Sequence, residues 1–414
     1  MNYLKPITLL TLLAIMVFTT GCGDDDEVMV VSNNFTVTIE NTFVGNDFFT
    51  NGVTGVIMPG TSESISFNAG KGHNLSFATM YVQSNDVFFG AGENGIALYD
   101  ANGNATTGNV TSMISLWDAG TEVNEAPGEG MNQAPRQSGP NTGETENSPV
   151  RLLSMVNDGF TYPEASELIE VNIMHDGGTM FTITLKNISN NSAIASPFAP
   201  GTWVVNSATQ TPLFAAGNTA SMGLERIAED GNNEAMNNNI SSRSGLVGPF
   251  APGAYGVNDA VFTVGQAASG PLEALAEDGN SSGFTNVFNT PVGASDPGPI
   301  FPGSSYSFSF SAEEGSILSF ATMMVQSNDW FIGANDIDLF ANGVPKSGDL
   351  TAMLSLYDAG TETDEYAGAG NNQAPRQSGA NMGAPENGNV MLESSAGAHV
   401  PSVANMIKVT LAAN

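Results

Sequence analysis

Phe35-Thr-Val-Thr-Ile-Glu-Asn41 recurs later in the chain as Phe181-Thr-Ile-Thr-Leu-Lys-Asn187. In the first copy Val37 and Ile39 face one way, Thr36 and Thr38 the other. Alternation with period two marks a strand with one face buried and one in water. Other runs repeat around this one. Leu75-Ser-Phe-Ala-Thr-Met80 matches Leu318-Ser-Phe-Ala-Thr-Met323, and Leu168 to Ile173 matches Met406 to Leu411. Turn signals punctuate them: Met58-Pro59-Gly60 and Phe301-Pro302-Gly303, and the Asn-Gly pairs at Asn102 and Asn342. Asn-Gly supplies the positive φ angles of a tight hairpin. Short alternating strands, frequent turns and almost no helical period predict an all-β chain. The repeats divide it into two tandem antiparallel sandwiches, residues 35–178 and 179–414, with Asp176-Gly177-Gly178 as the junction.

The second unit is longer by a segment at about 190–290 that is itself duplicated. Ser196-Pro-Phe-Ala-Pro-Gly201 recurs as Gly248-Pro-Phe-Ala-Pro-Gly253, and Ala228-Glu-Asp-Gly-Asn232 as Ala276-Glu-Asp-Gly-Asn280. A short helical turn precedes each acidic pair, over 223–229 and 271–277, and the Gly after it stops the helix. This segment reads as a loop-and-helix insert at one end of the second sandwich.

Composition sets limits on function. Of 414 residues, 42 are acidic and 10 basic, for a net charge of −32. Such a chain lacks the clustered Lys and Arg that neutralise phosphates, which excludes a nucleic-acid surface and attraction to anionic lipid. Residues 1–21 read as a signal peptide ending in Thr19-Thr20-Gly21-Cys22, which resembles a bacterial lipobox. Cys22, the one cysteine, would then carry the lipid, and residues 22–34 would form an acidic tether to the outer membrane or cell surface. Apart from that lipid, no membrane contact is expected.

Two seven-residue stretches carry the chemistry: Leu116-Trp-Asp-Ala-Gly-Thr-Glu122 and Leu356-Tyr-Asp-Ala-Gly-Thr-Glu362. Each sets two carboxylates four residues apart across a turn-prone Ala-Gly-Thr: Asp118 with Glu122, and Asp358 with Glu362. Upstream, Gln-Ser-Asn-Asp ends at Asp86 and at Asp329; downstream, Asn-Gln-Ala-Pro-Arg-Gln-Ser-Gly starts at Asn132 and at Asn372. A hard cation takes six to eight oxygens, chiefly carboxylates and carbonyls. Asp86, Asp118 and Glu122 form one candidate ligand set, and Asp329, Asp358 and Glu362 the other, with one calcium ion per unit. The same acids could instead cap turns through backbone N–H groups. Arg136 and Arg376 read as pins that tie their Pro-rich loops to acidic neighbours. His73, His175 and His399 share no spacing and make no zinc site. No nucleophile elbow or phosphate loop is present, so an enzyme is not expected.

Together, Gln-Ser-Asn-Asp, Trp-Asp-Ala-Gly-Thr-Glu and Asn-Gln-Ala-Pro-Arg-Gln resemble the spondin N-terminal domain family in its bacterial branch. The resemblance implies a β-sandwich with a calcium ion on three loop carboxylates, here Asp329 before Trp330, Asp358 and Glu362, and in the first unit Asp86, Asp118 and Glu122. Glu in place of the last Asp and Tyr357 in place of Trp depart from the pattern. The implied function is non-catalytic adhesion or surface and matrix contact with an extracellular protein or glycan. The alternatives are a calcium-dependent glycan-binding accessory domain or hydrolase, and a purely structural surface coat.

Overall fold

The structure, a computed structural model, describes residues 31–207 and 212–414. The signal peptide, most of the tether and Cys22 lie outside the described residues; Ser32 to Asn34, assigned above to the tether, already belong to a strand.

The chain is all-β, as its alternation predicts, and it forms two sandwiches. In the first, the small sheet is ordered Ser62–Asn68, Met180–Asn187, Ile169–Gly177, Gly108–Asn109. It packs on a larger sheet whose central strands are His73–Met80, Val87–Ala91 and Ile114–Asp118. Phe67, Val171, Ile183, Leu75, Phe89 and Leu116 interdigitate between them. In the second sandwich the small sheet is Ser305–Glu313, Ser32–Asn41, Ile407–Ala413, Gly348–Asp349. The larger sheet centres on Ile317–Met323, Trp330–Asp338 and Ser355–Asp358.

The partition at 178/179 is therefore corrected. Phe181–Asn187, expected to open the second unit, pairs with Ile169–Gly177 and Ser62–Asn68 of the first. The strand Ser32–Asn41, expected to open the first, pairs with Ser305–Glu313 and Ile407–Ala413 of the second. The physical reason lies in Gly177-Gly178. Both have positive φ, 104° and 57°, and the register shifts between His175 and Gly177, so the supposed junction is a tight bulged hairpin. That turn commits Phe181–Asn187 to the first sheet. The N-terminal copy fills the equivalent slot in the other, where Phe35, Val37 and Ile39 are fully buried. Each strand ends on an Asn that does the same work. Asn41 Nδ2 donates to the carbonyls of Gly248 and Ile300, and Asn187 Nδ2 to those of Ile57 and Ser196.

The duplicated segment is likewise redistributed. Its first half supplies strand Thr202–Ser207 and helices Met222–Asp230 and Glu234–Ser241 to the first sandwich. Its second half supplies strand Gly253–Val257 and helix Gly270–Asp278 to the second. The segment is thus two equivalent parts, one per sandwich, rather than an insert in one. Helix limits follow the sequence reading. Ser221 and Ser269 accept from the N–H groups of Leu224 and Leu272 at the starts, and Gly231 and Gly279 end the helices in the left-handed conformation. These helices cover the outer face of each large sheet. That is why all of His73–Met80 is buried, where alternation alone predicts one wet face. Among the described residues no helix is long and apolar enough to cross a membrane.

Candidate metal centre

Antiparallel pairing brings the candidate acids together at one end of each large sheet. Val87 lies opposite Asp118 and Trp330 opposite Asp358, so Asp86 and Asp329 sit just beyond the strand ends, beside their partners. Each then organises the Ala-Gly-Thr-Glu turn. Asp329 Oδ2 accepts from the N–H of Thr361 at 2.7 Å, the N–H of Glu362 at 3.0 Å and the Thr361 hydroxyl at 3.0 Å. Asp86 Oδ2 does the same with Thr121 and Glu122. Gly120 and Gly360 have φ of 70° and 69°, and a Cβ on Gly120 would meet the Ser148 carbonyl at 2.4 Å. The Gly between the acids is thus a requirement of the turn.

The third predicted ligand is hydrogen-bonded at both oxygens. Glu362 Oε1 accepts from the N–H of Gly383 at 2.6 Å and Oε2 from Asn328; Glu122 does likewise with Gly143 and Asn85. These two glutamates tie the long loop after each turn. Turn capping thus accounts for both oxygens of each glutamate, while Asp329 and Asp358 each cap the turn through one oxygen and keep acidic company besides. Ligand atoms of Asp358, Asp364 and Glu393 lie within 4.8 Å of one another. Asp329 Oδ1, fully buried, has no hydrogen-bond partner. Its repulsion reaches both Asp358 and Asp364. Asp358 Oδ1 accepts from the N–H of Gly360.

The electrostatics report crowding. Burial, then repulsion from Asp329, pushes Asp358 up to about 6. Asp364 is exposed as a whole residue, yet its carboxyl faces inward. Burial there, then Asp358, Asp329 and Glu393, raise it to about 7. Asp329 is raised by burial against the pull of its backbone donors. Among the described residues no ion pair reaches Asp329, Asp358, Asp364 or Glu393. Three carboxyl groups with ligand atoms within 4.8 Å of one another, and the orphaned buried oxygen of Asp329 acting on two of them, form an all-oxygen donor set that suits a hard cation.

The first group is built differently. Asp118 Oδ2 accepts from Asn124 Nδ2 at 2.7 Å, and Oδ1 lies 3.3 Å from Arg151 Nη2. Arg151 also bonds Glu146 at 2.5 Å. Burial and the Asp118 charge raise Asp86 to about 7. Burial raises Asp118, against Asn124 and Arg151.

Asp364 and Glu393 escape a reading that looks for residues kept in both copies, because their counterparts are Asn124 and Leu153. Asp364, two residues after the repeated Glu362, was open to notice; Glu393 follows strand Met391–Leu392, whose pairing with Ser355–Asp358 only the fold reveals. Arg136 and Arg376 do pin their loops, but to carbonyl and amide oxygens rather than to acids. Arg136 donates to Gly130 O and Gln83 Oε1, and Arg376 to Gly368 O and Gln326 Oε1. Trp330 and Trp203 are buried in the cores and Trp117 packs on Phe214.

The architecture is that of a β-sandwich module with acidic loops gathered at one rim. Residues 254–382 match the family model Spondin_N, so this stretch is similar to a spondin N-terminal domain. The match covers most of the second sandwich, including Asp329, Asp358 and Asp364, and stops before Glu393. A comparison with curated proteins gives no match.

Proposed function

We propose that the second sandwich binds a divalent, oxygen-preferring cation, calcium before others, and that the ion sets the rim loops as a contact surface for an extracellular protein or glycan. Asp329, Asp358, Asp364 and Glu393 would hold it. The observations that carry this reading are the fully buried, unpartnered Asp329 Oδ1, whose charge acts on Asp358 and Asp364, and the group Asp358, Asp364 and Glu393, whose ligand atoms lie within 4.8 Å of one another. The ion supplies charge that the protein lacks there, and it joins strand end, turn and the segment after Leu392 into one body. A non-catalytic role is in keeping with the aromatics nearest the group. Trp330 is buried and Tyr357 packs on Phe331 and Phe262, so neither offers an open platform for a sugar ring. The signal and Cys22 would tether the module outside the cytoplasm.

The test is a thermal melt of chelator-treated protein with calcium, with magnesium and with neither. Calcium is expected to raise the melting temperature by several degrees and magnesium by less, and Asp358→Asn to remove the effect. A melt indifferent to every divalent ion would end the proposal.

A further inference from the structure

The two acidic groups occupy equivalent places in equivalent sandwiches, yet they are surrounded by opposite charges. Arg151 stands directly opposite Asp118 in the strand pairing, and Met391 stands opposite Asp358. The first group therefore has a guanidinium 3.3 Å from Asp118 Oδ1 where the second has a thioether. Asn124 replaces Asp364, turning an acceptor into a donor that occupies Asp118 Oδ2 at 2.7 Å. Leu153, 6% exposed, replaces Glu393. Val87 replaces Trp330. Asp118 Oδ2 is thus engaged by Asn124; Oδ1 faces the Arg151 guanidinium at 3.3 Å and, like Asp86 Oδ1, accepts no hydrogen bond. A divalent ion entering there would meet Asp86 and Asp118 beside a guanidinium that Glu146 holds in place at 2.5 Å, where the second sandwich offers three carboxylates within 4.8 Å of one another and, among the described residues, no ion-pair partner.

We propose that Arg151 is a tethered cation that fills the first site, so that the chain takes up a single divalent ion, in the second sandwich alone, with Asp364 and Glu393 as ligands peculiar to that copy. This rests on the calcium reading of the second site and adds to it a division of labour. The first sandwich holds its rim permanently, by an internal ion pair. The second holds its rim only when metal is present. Contact through the second rim would accordingly follow the surrounding calcium concentration, while the first stays in place as a scaffold.

Calorimetric titration of the full mature chain with calcium tests this. One ion per chain is expected, lost in Asp358→Asn. The triple variant N124D/R151M/L153E, which writes the second site's residues into the first, should bind a second ion. The reverse variant D364N/M391R should bind none, and its metal-free melting temperature should rise because the guanidinium relieves the crowding. Met391 is 55% exposed, so the new side chain has room. Two ions bound by the unaltered chain, or a D364N/M391R variant that still binds calcium, would overturn the tethered-cation account while leaving the second site standing. No ion bound by the unaltered chain would instead remove the calcium reading on which it rests.

Discussion

Single side chains decide the chemistry, and the most telling are acids that carry no ligand role. Glu229 and Glu277 end equivalent helices at 2% and 3% exposure. Burial raises each from 4.5 to about 7, opposed by the hydroxyls of Thr121 and Thr361 and reinforced by Glu122 and Glu362. The sign follows from linkage: a carboxyl whose folded pKa lies above its unfolded one binds its proton more tightly when folded. Its stabilisation is complete below about pH 4.5 and is lost as pH rises through about 7. Metal-free protein should therefore melt lower at pH 8 than at pH 5. Glu229→Gln with Glu277→Gln should flatten that slope, each removing a penalty on the order of 1–3 kcal/mol at the alkaline end. Melts across pH in chelator check it, and an unchanged slope in the double variant would show that the two carboxyls ionise freely. What the sequence told about the site has the same grain. Asp329 and Asp358 stand out in the sequence because both copies keep their counterparts, and strand pairing brings them side by side. Spacing along the chain does not say which way the Glu362 side chain leaves its turn, and here the Gly383 N–H and Asn328 engage its carboxylate.

Among the strands, the alternation Phe-Thr-Val-Thr-Ile was enough to predict a half-buried element. It could not say which sheet would receive it. Phe35–Asn41 and Phe181–Asn187 present the same faces and the same terminal Asn, so either fits either slot. The Gly177-Gly178 hairpin settles the choice, and a Gly-Gly step looks the same in sequence whether it joins units or turns a strand back. The consequence is testable. Ile39 is fully buried in the core of the second sandwich. Ile39→Ala should cost about 2–5 kcal/mol. Hydrogen exchange should place the loss: amides of Ser305–Glu313 and Ile407–Ala413 lose protection, while those of Ile169–Gly177 keep it. Loss centred on the first sandwich would mean the strand belongs where its position in the chain suggests.

Nesting one sandwich between the first strand and the remainder of the other makes the whole molecule a coupled object, and the contact between the two reinforces this. Gly70 approaches so closely that a Cβ there would meet the Ala369 carbonyl at 2.1 Å. Lys71 donates its N–H to Asn371 Oδ1, and Asn371 Nδ2 reaches the Tyr99 hydroxyl. Arg376 sits in the middle, with Nη2 3.3 Å from His73 Nε2 and donating to Gly368 O at 2.5 Å. Burial, then the Arg376 charge, drives His73 down to about 3, so the imidazole stays neutral, and its Nδ1 accepts from the Gly70 N–H at 3.2 Å. Removing the guanidinium should leave a cavity and free the loop from Gly368 and Gln326, a loss of about 2–4 kcal/mol by comparison with other buried hydrogen-bonded groups. That loss falls on the contact rather than on either core. Calorimetry of the unaltered chain should therefore show a single transition that calcium moves upward as a whole. Arg376→Met should split it in two, with calcium moving only the transition of the second sandwich, since the acidic group lies there. If the variant still melts in one step that responds to calcium throughout, the crossing strand alone couples the sandwiches and the Arg376 contact is incidental.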